Sequence, residues 1–308
     1  MTFKQLEAFY WAATCANFAV AADRLHLSIS SLSKRIVELE ESLNRPLFDR
    51  TGRKAELTEA GRQLMPHARA LLQAASAARQ AVATESELSG RSRFGVGELS
   101  ALTWLPQFML EARLLYPQLV LEPHVDVGAE LEQKVDKGEL DFAVIAGRSS
   151  KASIQSQSIA NAQFSWTASP KICKTGQKID QTLFALYPLI TQPTGAGTTL
   201  MVDDWLAAQS VIAEQRVTCN NWGAIAGMLV EGMGIGFLPK GWAESLQKRQ
   251  LLVQLQTISG LAALSYSCQW RRDDHRPLIT KMVTLLQTQV DFSGTSKVLD
   301  SLEKQLNN

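Results

Sequence analysis

The 308-residue sequence predicts a multidomain α/β protein: a winged helix-turn-helix, then one long helix, then a larger region of alternating strands and helices. Three observations carry this expectation. Short helical runs meet at a serine turn in "NFAVAADRLHLSISSLSKRIVELEESL". A long run of small and apolar residues at near-heptad spacing follows a basic hairpin pattern. From residue 91 onward, apolar strand patterns alternate with amphipathic helical ones.

Composition sets the outer bounds. With 45% hydrophobic and 20% charged residues, the chain has the balance of an ordinary globular protein. It contains no uncharged apolar run of about 18 residues, so no membrane span is expected. The opening "MTFKQLEAFYWAA" lacks a basic stretch leading into an apolar core, so no secretory signal is expected. Cys15, Cys173, Cys219 and Cys268 are scattered, with no CxxC and no metal spacing, which fits a reducing cytoplasm. The net charge of +1 hides an asymmetry: residues 1–93 hold 13 Lys/Arg against 10 Asp/Glu, and the excess is densest in "RPLFDRTGRK".

Thr2 and Gln5 match a capping box, and Leu6, Phe9, Tyr10 and Ala13 give the first helix one apolar face. Asn17 caps a second helix, in which Ala21 and Ala22 permit close helix approach. Ser28 is a suitable N-cap for the third. On that helix Leu32, Ile36, Leu39 and Leu43 share a stripe, and Ser30 and Lys34 lie opposite it. Ser31 and Ser33 flank that outer face. A small, hydroxyl-bearing, basic face on the second helix of a helix-turn-helix suits a DNA major groove, with Lys34 and Arg35 set against phosphate. "PLFDRTGRKAEL" reads as two short strands turning at Thr51-Gly52, a wing that would project Arg50, Arg53 and Lys54 toward the duplex backbone. Thr58 then caps a long helix. Its Leu64, Ala68, Leu71, Ala75, Ala78 and Val82 form a seam running to about Glu87, suited to pairing with a partner helix.

The segment from Phe3 to Gly61 resembles the amino-terminal signature of LysR-type transcriptional regulators. The likeness runs through Phe18, Ala21-Ala22, Leu25, Ser28, Leu32-Ser33, Ile36, Leu39-Glu40, Leu43, Leu47-Phe48, Arg50, Leu57-Thr58 and Ala60-Gly61. One departure stands out. The family often carries Gln-Pro-Ala after the position of Ser28, where this chain has Ile29-Ser30-Ser31, so a base-reading glutamine is replaced by an isoleucine that would either touch a thymine methyl or pack inward, the side its wheel position slightly favours. The similarity continues through "WLPQFM", "LEQKVDKGELDFAVIA" and "MLVEGMGIGFLP". It implies a two-lobed effector domain like a periplasmic binding protein, with crossovers near Gln163–Ser165 and Tyr266–Cys268. The expected organisation is a DNA-binding domain over 1–58, a linker (dimerisation) helix over 59–90 and an effector domain over 91–292. Lobe I would comprise 91–163 and 268–292, and lobe II 164–267, with a tail at 293–308.

In the α/β region, "RFGVGEL", "LVLEPHVDV", "LDFAVIA", "YPLITQ", "RVTCN", "GIGFLP" and "SYSCQW" read as strands of an open, largely parallel sheet. "LTWLPQFMLEARLLYPQ" reads as one helix burying Leu105, Phe108, Met109, Ala112 and Leu115. A cleft between lobes gathers helix N-termini, which suits a small organic anion. Candidate effector contacts are Ser100, Thr103, Gly128, Thr194, Gly195 and Asn221 at helix starts, Arg148 as a carboxylate partner, and Trp166 and Trp222 as an apolar wall. For most of these polar residues simple helix capping is the competing reading.

Several motifs fail on context. "GMGIGFLP" leads from helix to strand, the reverse of a dinucleotide loop. "TGAGTT" lacks the Gly-Lys-Ser/Thr ending of a phosphate loop. His26, His67, His124 and His275 are isolated, and no GxSxG or HExxH occurs, so neither catalysis, metal nor cofactor is expected. The expectation is a regulator, not an enzyme, whose partners are double-stranded DNA, a small-molecule effector, a second copy of itself in a dimer or tetramer, and RNA polymerase. The alternative is a solute-binding protein or enzyme with an accessory DNA-binding arm, which lacks a catalytic constellation to support it.

Overall fold

A computed structural model describes residues 1–15, 17–51, 55–82, 88–274 and 276–293. The first element, α1 (Phe3–Thr14), starts at the capping box: Gln5 N–H donates to the Thr2 hydroxyl and Thr2 N–H to the Gln5 side chain. Asn17 caps α2 (Phe18–Arg24), and Ser28 caps α3 (Ile29–Leu43) by accepting from Ser31 N–H. Leu32, Ile36 and Leu39 are fully buried against Leu6, Phe9, Ala21 and Ala22, which is the hydrophobic stripe doing what its spacing dictates. Two expectations fail at the edges of α3. Leu43, one turn beyond that core, is 36% exposed, and Ile29, in the first turn, is 53% exposed instead of packed inward.

The wing pairs β1 (Phe48–Asp49) with β2 (Glu56–Leu57) antiparallel, Phe48 opposite Leu57. α4 (Glu59–Val82) follows, about 36 Å long at 1.5 Å per residue. Ala68 is buried, and Leu64, Met65 and Leu72 pack on the helix-turn-helix core, whereas Leu71 and Ala78 stay exposed. The side chain of Val82 and the continuation of the seam to Glu87 lie outside the described residues.

The α/β region continues with β3 (Gly90–Val96), α5 (Glu98–Leu102), α6 (Leu105–Leu115), β4 (Leu119–Val125), α7 (Gly128–Asp136), β5 (Phe142–Ala146), β6 (Ile154–Ala162) and β7 (Phe164–Ala168). After these come α8 (Gln181–Leu186), β8 (Leu189–Thr191), α9 (Gly197–Ala208), β9 (Arg216–Thr218), α10 (Trp222–Glu231) and β10 (Ile235–Pro239). The region closes with α11 (Lys240–Lys248), β11 (Val253–Gln254), β12 (Leu264–Arg271) and α12 (Pro277–Gln289). The helix expected at 102–118 is shorter, α6 alone filling that span, and a separate short helix, α5, precedes it; Pro106 sits in the first turn of α6, where its missing N–H costs nothing. Leu115, expected inside, is half exposed.

The strands form two five-stranded sheets, ordered β4-β3-β5-β12-β6 (lobe I) and β11-β7-β10-β8-β9 (lobe II), rather than one largely parallel sheet. Both are mixed. β3 runs parallel to β4 and β5, but β12 runs antiparallel to β5 and β6. β8 runs parallel to β9 and β10, but β7 runs antiparallel to β10 and β11. The cause is the double crossing between sheets, since a strand returning from the other lobe enters from the opposite end. The first crossing is at Gln163, between β6 and β7. The second falls within residues 255–263, ahead of the expected Tyr266–Cys268, because β12 pairs with β6 from Leu264 onward.

The helix-turn-helix packs on lobe I through a buried ionic cluster. Arg24 of α2 reaches Asp274 at 2.6 Å and Asp141 at 3.2 Å, and donates to Gly138 O at 3.1 Å. Arg276 bridges the same carboxylates at 2.5 and 2.6 Å. The Arg24 guanidinium lies 4.1 Å from the centroid of the Trp11 ring, a cation–π contact from its own domain. Beside it Arg271 donates to Thr14 O and pairs with Asp273, both at 2.6 Å, and Arg93 pairs with Asp23. Gly138, at φ +74°, lets the two domains meet: a Cβ there would lie 2.8 Å from Cys15 Sγ.

Burial alone would raise the carboxyls of Asp141, Asp273 and Asp274. The facing arginines and their hydrogen bonds outweigh it and hold all three below the usual range. Depressed carboxylates stabilise the docked form above their unfolded value near 3.9, and this is lost as pH falls through the folded values. Docking should therefore be flat between pH 5 and 8 and weaken progressively as pH falls below about 4, visible as a rise in the radius of gyration by small-angle scattering. Arg24→Ala leaves Asp141 and Asp274 to Arg276 alone and should cost about 2 kcal/mol of docking energy, read as faster proteolysis between the domains at neutral pH.

Candidate nucleic-acid interface and effector cleft

At the start of α3 the backbone gives three serines one side of the helix. The Ser28 hydroxyl lies 2.9 Å from that of Ser30 and 2.8 Å from that of Ser31. Ser28 is thus committed to capping, and Ser30 and Ser31 are exposed with Lys34, while Ser33 and Arg35 are half-buried on the flanks. The exposed row backs directly onto the buried Leu32 and Ile36. Arg50, expected to project freely from the wing, pairs instead with Glu40 at 3.3 Å. The other Glu40 oxygen accepts from the N–H groups of Leu47 and Phe48, so Arg50 ties the wing to α3. Arg53 and Lys54 lie outside the described residues.

The cleft between the lobes encloses about 660 Å³. Gly128, Arg148, Gly195, Asn221 and Trp222 line it, as the sequence led one to expect. Four candidates do not. Trp166 is 2% exposed and packs in the lobe II core, its ring centroid 4.9 Å from that of Trp205, because it sits on the inner side of β7 against the helices. Ser100 is wholly buried, the Thr103 hydroxyl donates to Leu99 O, and Thr194 points to solvent ahead of the turn. Trp222, though on the wall, packs mainly against Phe164 and Phe237.

Nothing in the sequence points to other wall residues: Glu98, Asp126, Gln192, Tyr266 and Gln269. Glu98 opens α5, and its carboxylate crosses to lobe II, accepting from Asn221 Nδ2 at 2.7 Å and from Trp222 N–H at 2.9 Å. Burial pushes this carboxyl up, opposed by the Trp222 N–H. Gly197 forms the second close approach between lobes, since a Cβ there would lie 2.8 Å from Ala146 Cβ. A lone acidic residue in a first helical turn reads in a sequence as a dipole partner, which hides a side chain that caps a different helix. A second cavity, of about 530 Å³, lies between α2 and lobe I. Its arginines and its lysine are all paired with carboxylates.

Among the described residues no helix is long and apolar enough to cross a membrane, and no group of side chains could hold a metal ion. Residues 3–62 match the family model described as bacterial regulatory helix-turn-helix protein, lysR family, and residues 85–291 match the LysR substrate binding domain. The chain belongs to the LysR family. It is a LysR-type transcriptional regulator with a DNA-binding helix-turn-helix and an effector-binding domain, and its family consists of regulators, not enzymes. It is similar to the nitrogen assimilation regulatory protein nac of Escherichia coli, with 29% identity over 80% of this chain and 81% of that one. The transcriptional regulator ShiR of Corynebacterium glutamicum is 40% identical over 40% of this chain and 42% of its own. Two solved structures share the fold. A full-length OxyR variant from Pseudomonas aeruginosa has a TM-score of 0.65 at 20% identity, covering 94% of this chain and 99% of that one. ArgP from Mycobacterium tuberculosis has a TM-score of 0.61 at 18% identity, covering 94% and 97%.

Proposed function

We propose that this LysR-family regulator reads an operator with the exposed face of α3 and acts as a homodimer or a dimer of dimers in the cytoplasm. Ser30, Ser31 and Lys34 would meet the groove, Ser33 and Arg35 its walls, and Arg53 and Lys54 of the wing the adjacent backbone. One observation carries the reading: the hydroxyl-and-lysine row of α3 is exposed while Leu32, Ile36 and Leu39 on its opposite side are wholly buried. Small serines let the helix backbone approach the base edges, and exposed Ile29 is placed to meet a thymine methyl in place of a glutamine hydrogen bond. Small-molecule binding between the lobes would change their angle and so the spacing of the two recognition helices, with RNA polymerase as the final listener. That coupling requires the effector to favour one lobe arrangement over the other.

Dimerisation follows from α4. Leu71 and Ala78 are exposed along one side of a 24-residue helix whose other side packs on its own domain. A single recognition helix spans too little DNA for useful specificity, so two half-sites are needed.

Mobility-shift assays on the DNA upstream of the protein's own gene, at several salt concentrations, test the reading; failure to retain it over unrelated DNA at any salt would sink it. Lys34→Ala should weaken binding to operator and unrelated DNA alike and lower the slope of log affinity against log salt by about one. Leu71→Glu should convert the dimer to monomer in sedimentation velocity and cut operator affinity roughly 100-fold through lost bivalency.

A further inference from the structure

The cleft's favoured anion position is already filled by the chain itself. α10 is a ten-residue helix whose N-terminus opens into the cavity. Asn221 caps it by accepting from Ala224 N–H at 2.7 Å, and Glu98, reaching over from lobe I, takes the Trp222 N–H and the Asn221 amide. A carboxylate effector would seek the same N–H groups and the same favourable end of the helix dipole. Among the described residues no lysine or arginine pairs with Glu98, so its charge is met only by these dipoles.

An independent feature of the same wall asks for the opposite kind of ligand. Gln269 of β12 is 2% exposed and lines the cavity; its amide Nε2 donates to the Ser267 hydroxyl at 3.2 Å, and its Oε1 has no partner. A buried acceptor left without a donor is costly, and a ligand N–H removes that cost. The carboxylate without a counter-charge and the amide oxygen without a donor are both acceptors.

We propose that Glu98 is the resident anion of the effector cleft, excluding a carboxylate from the α10 N-terminus and admitting a small ligand through a cationic nitrogen. The inference rests on the reading of this cleft as the sensor and reverses the organic-anion preference expected from the sequence. Glu98 also latches lobe I to lobe II, so a cation drawn to its carboxylate acts on the contact that sets the angle between them.

The test is thermal unfolding of the full-length protein, with Glu98→Ala and Glu98→Gln variants, in sodium acetate, methylammonium chloride or sodium chloride at equal ionic strength. In Glu98→Ala, acetate should fill the vacated position and raise the Tm by about 1–2 °C over chloride, leaving the wild type unmoved. Methylammonium should raise the Tm of the wild type by a similar amount and do nothing for Glu98→Ala. Glu98→Gln keeps an acceptor for Asn221 and Trp222 without the charge, so it should fold normally yet lose the methylammonium response. The proposal is overturned if acetate shifts the wild type and Glu98→Ala equally, if acetate shifts neither, if methylammonium fails to stabilise the wild type, or if its effect survives in Glu98→Gln. Any of these with operator binding intact removes the Glu98 assignment alone; loss of specific DNA retention removes the regulator reading and leaves the acetate comparison standing.

Discussion

The buried pairing of Arg24 with Asp274 and Asp141 is the contact on which the arrangement of the whole chain depends. It joins a helix of the DNA-binding domain to the sheet of lobe I, at residues more than a hundred positions apart. Its strength comes from how fully the carboxylates are met. Asp274 accepts from both Arg24 and Arg276, while Asp141 spends one oxygen on these arginines and the other on the Ser92 hydroxyl and the Arg93 N–H. A buried charge pair is worth having only when its remaining polar atoms are met, and here the carboxylate oxygens are, while Arg24 Nε is buried without a partner. Trp11 closes the side of the guanidinium left open by the carboxylates.

The electrostatics of the cluster divide unequally among its members. Arg276 is held above the usual arginine range by the two carboxylates it faces, in spite of its desolvation. Arg24 moves the other way, since burial of its side chain and the nearby Arg276 charge together outweigh the pull of Asp274 and Asp141. Arg24 is therefore the member whose charge is least supported, and it is the one contributed by the DNA-binding domain. The cluster holds that domain on lobe I, whereas lobe II meets lobe I across the cleft at Gly197 and at the Glu98 latch.

Much of the amino-terminal domain was legible in the sequence because it rests on local rules. Caps at Thr2, Asn17 and Ser28 and the stripe Leu32, Ile36, Leu39 obey spacings within one or two helical turns. The errors fall where a residue's fate depends on something distant. Ile29 and Leu43 lie at the rims of a core whose extent no helical wheel reveals. Trp166 looked like a ligand wall because an aromatic on a strand near a crossover could face either side, and which side was decided by packing against Trp205, forty residues on. The sheet was read as mainly parallel because strand order across two lobes leaves no periodicity to detect. Neither the Arg24 cluster nor Glu98 gave any local signal, since each is defined by partners in another domain or lobe.

The cleft and the domain contact share one physical principle, applied in opposite senses. At the domain contact, carboxylates and guanidiniums neutralise one another, and the Arg24 Nε alone of that guanidinium is left buried without a partner. In the cleft, Glu98 satisfies the α10 N-terminus, but the helix end cannot return a full counter-charge, and Gln269 nearby keeps an oxygen without a donor. A helix terminus offers about half an elementary charge, so a carboxylate resting on it still gains from a cation. The first site is closed by its own chemistry and the second is left incomplete by it. An incomplete site that also holds two lobes together is where a small molecule can change the balance between lobe arrangements, because whatever completes it acts on the contact that sets them.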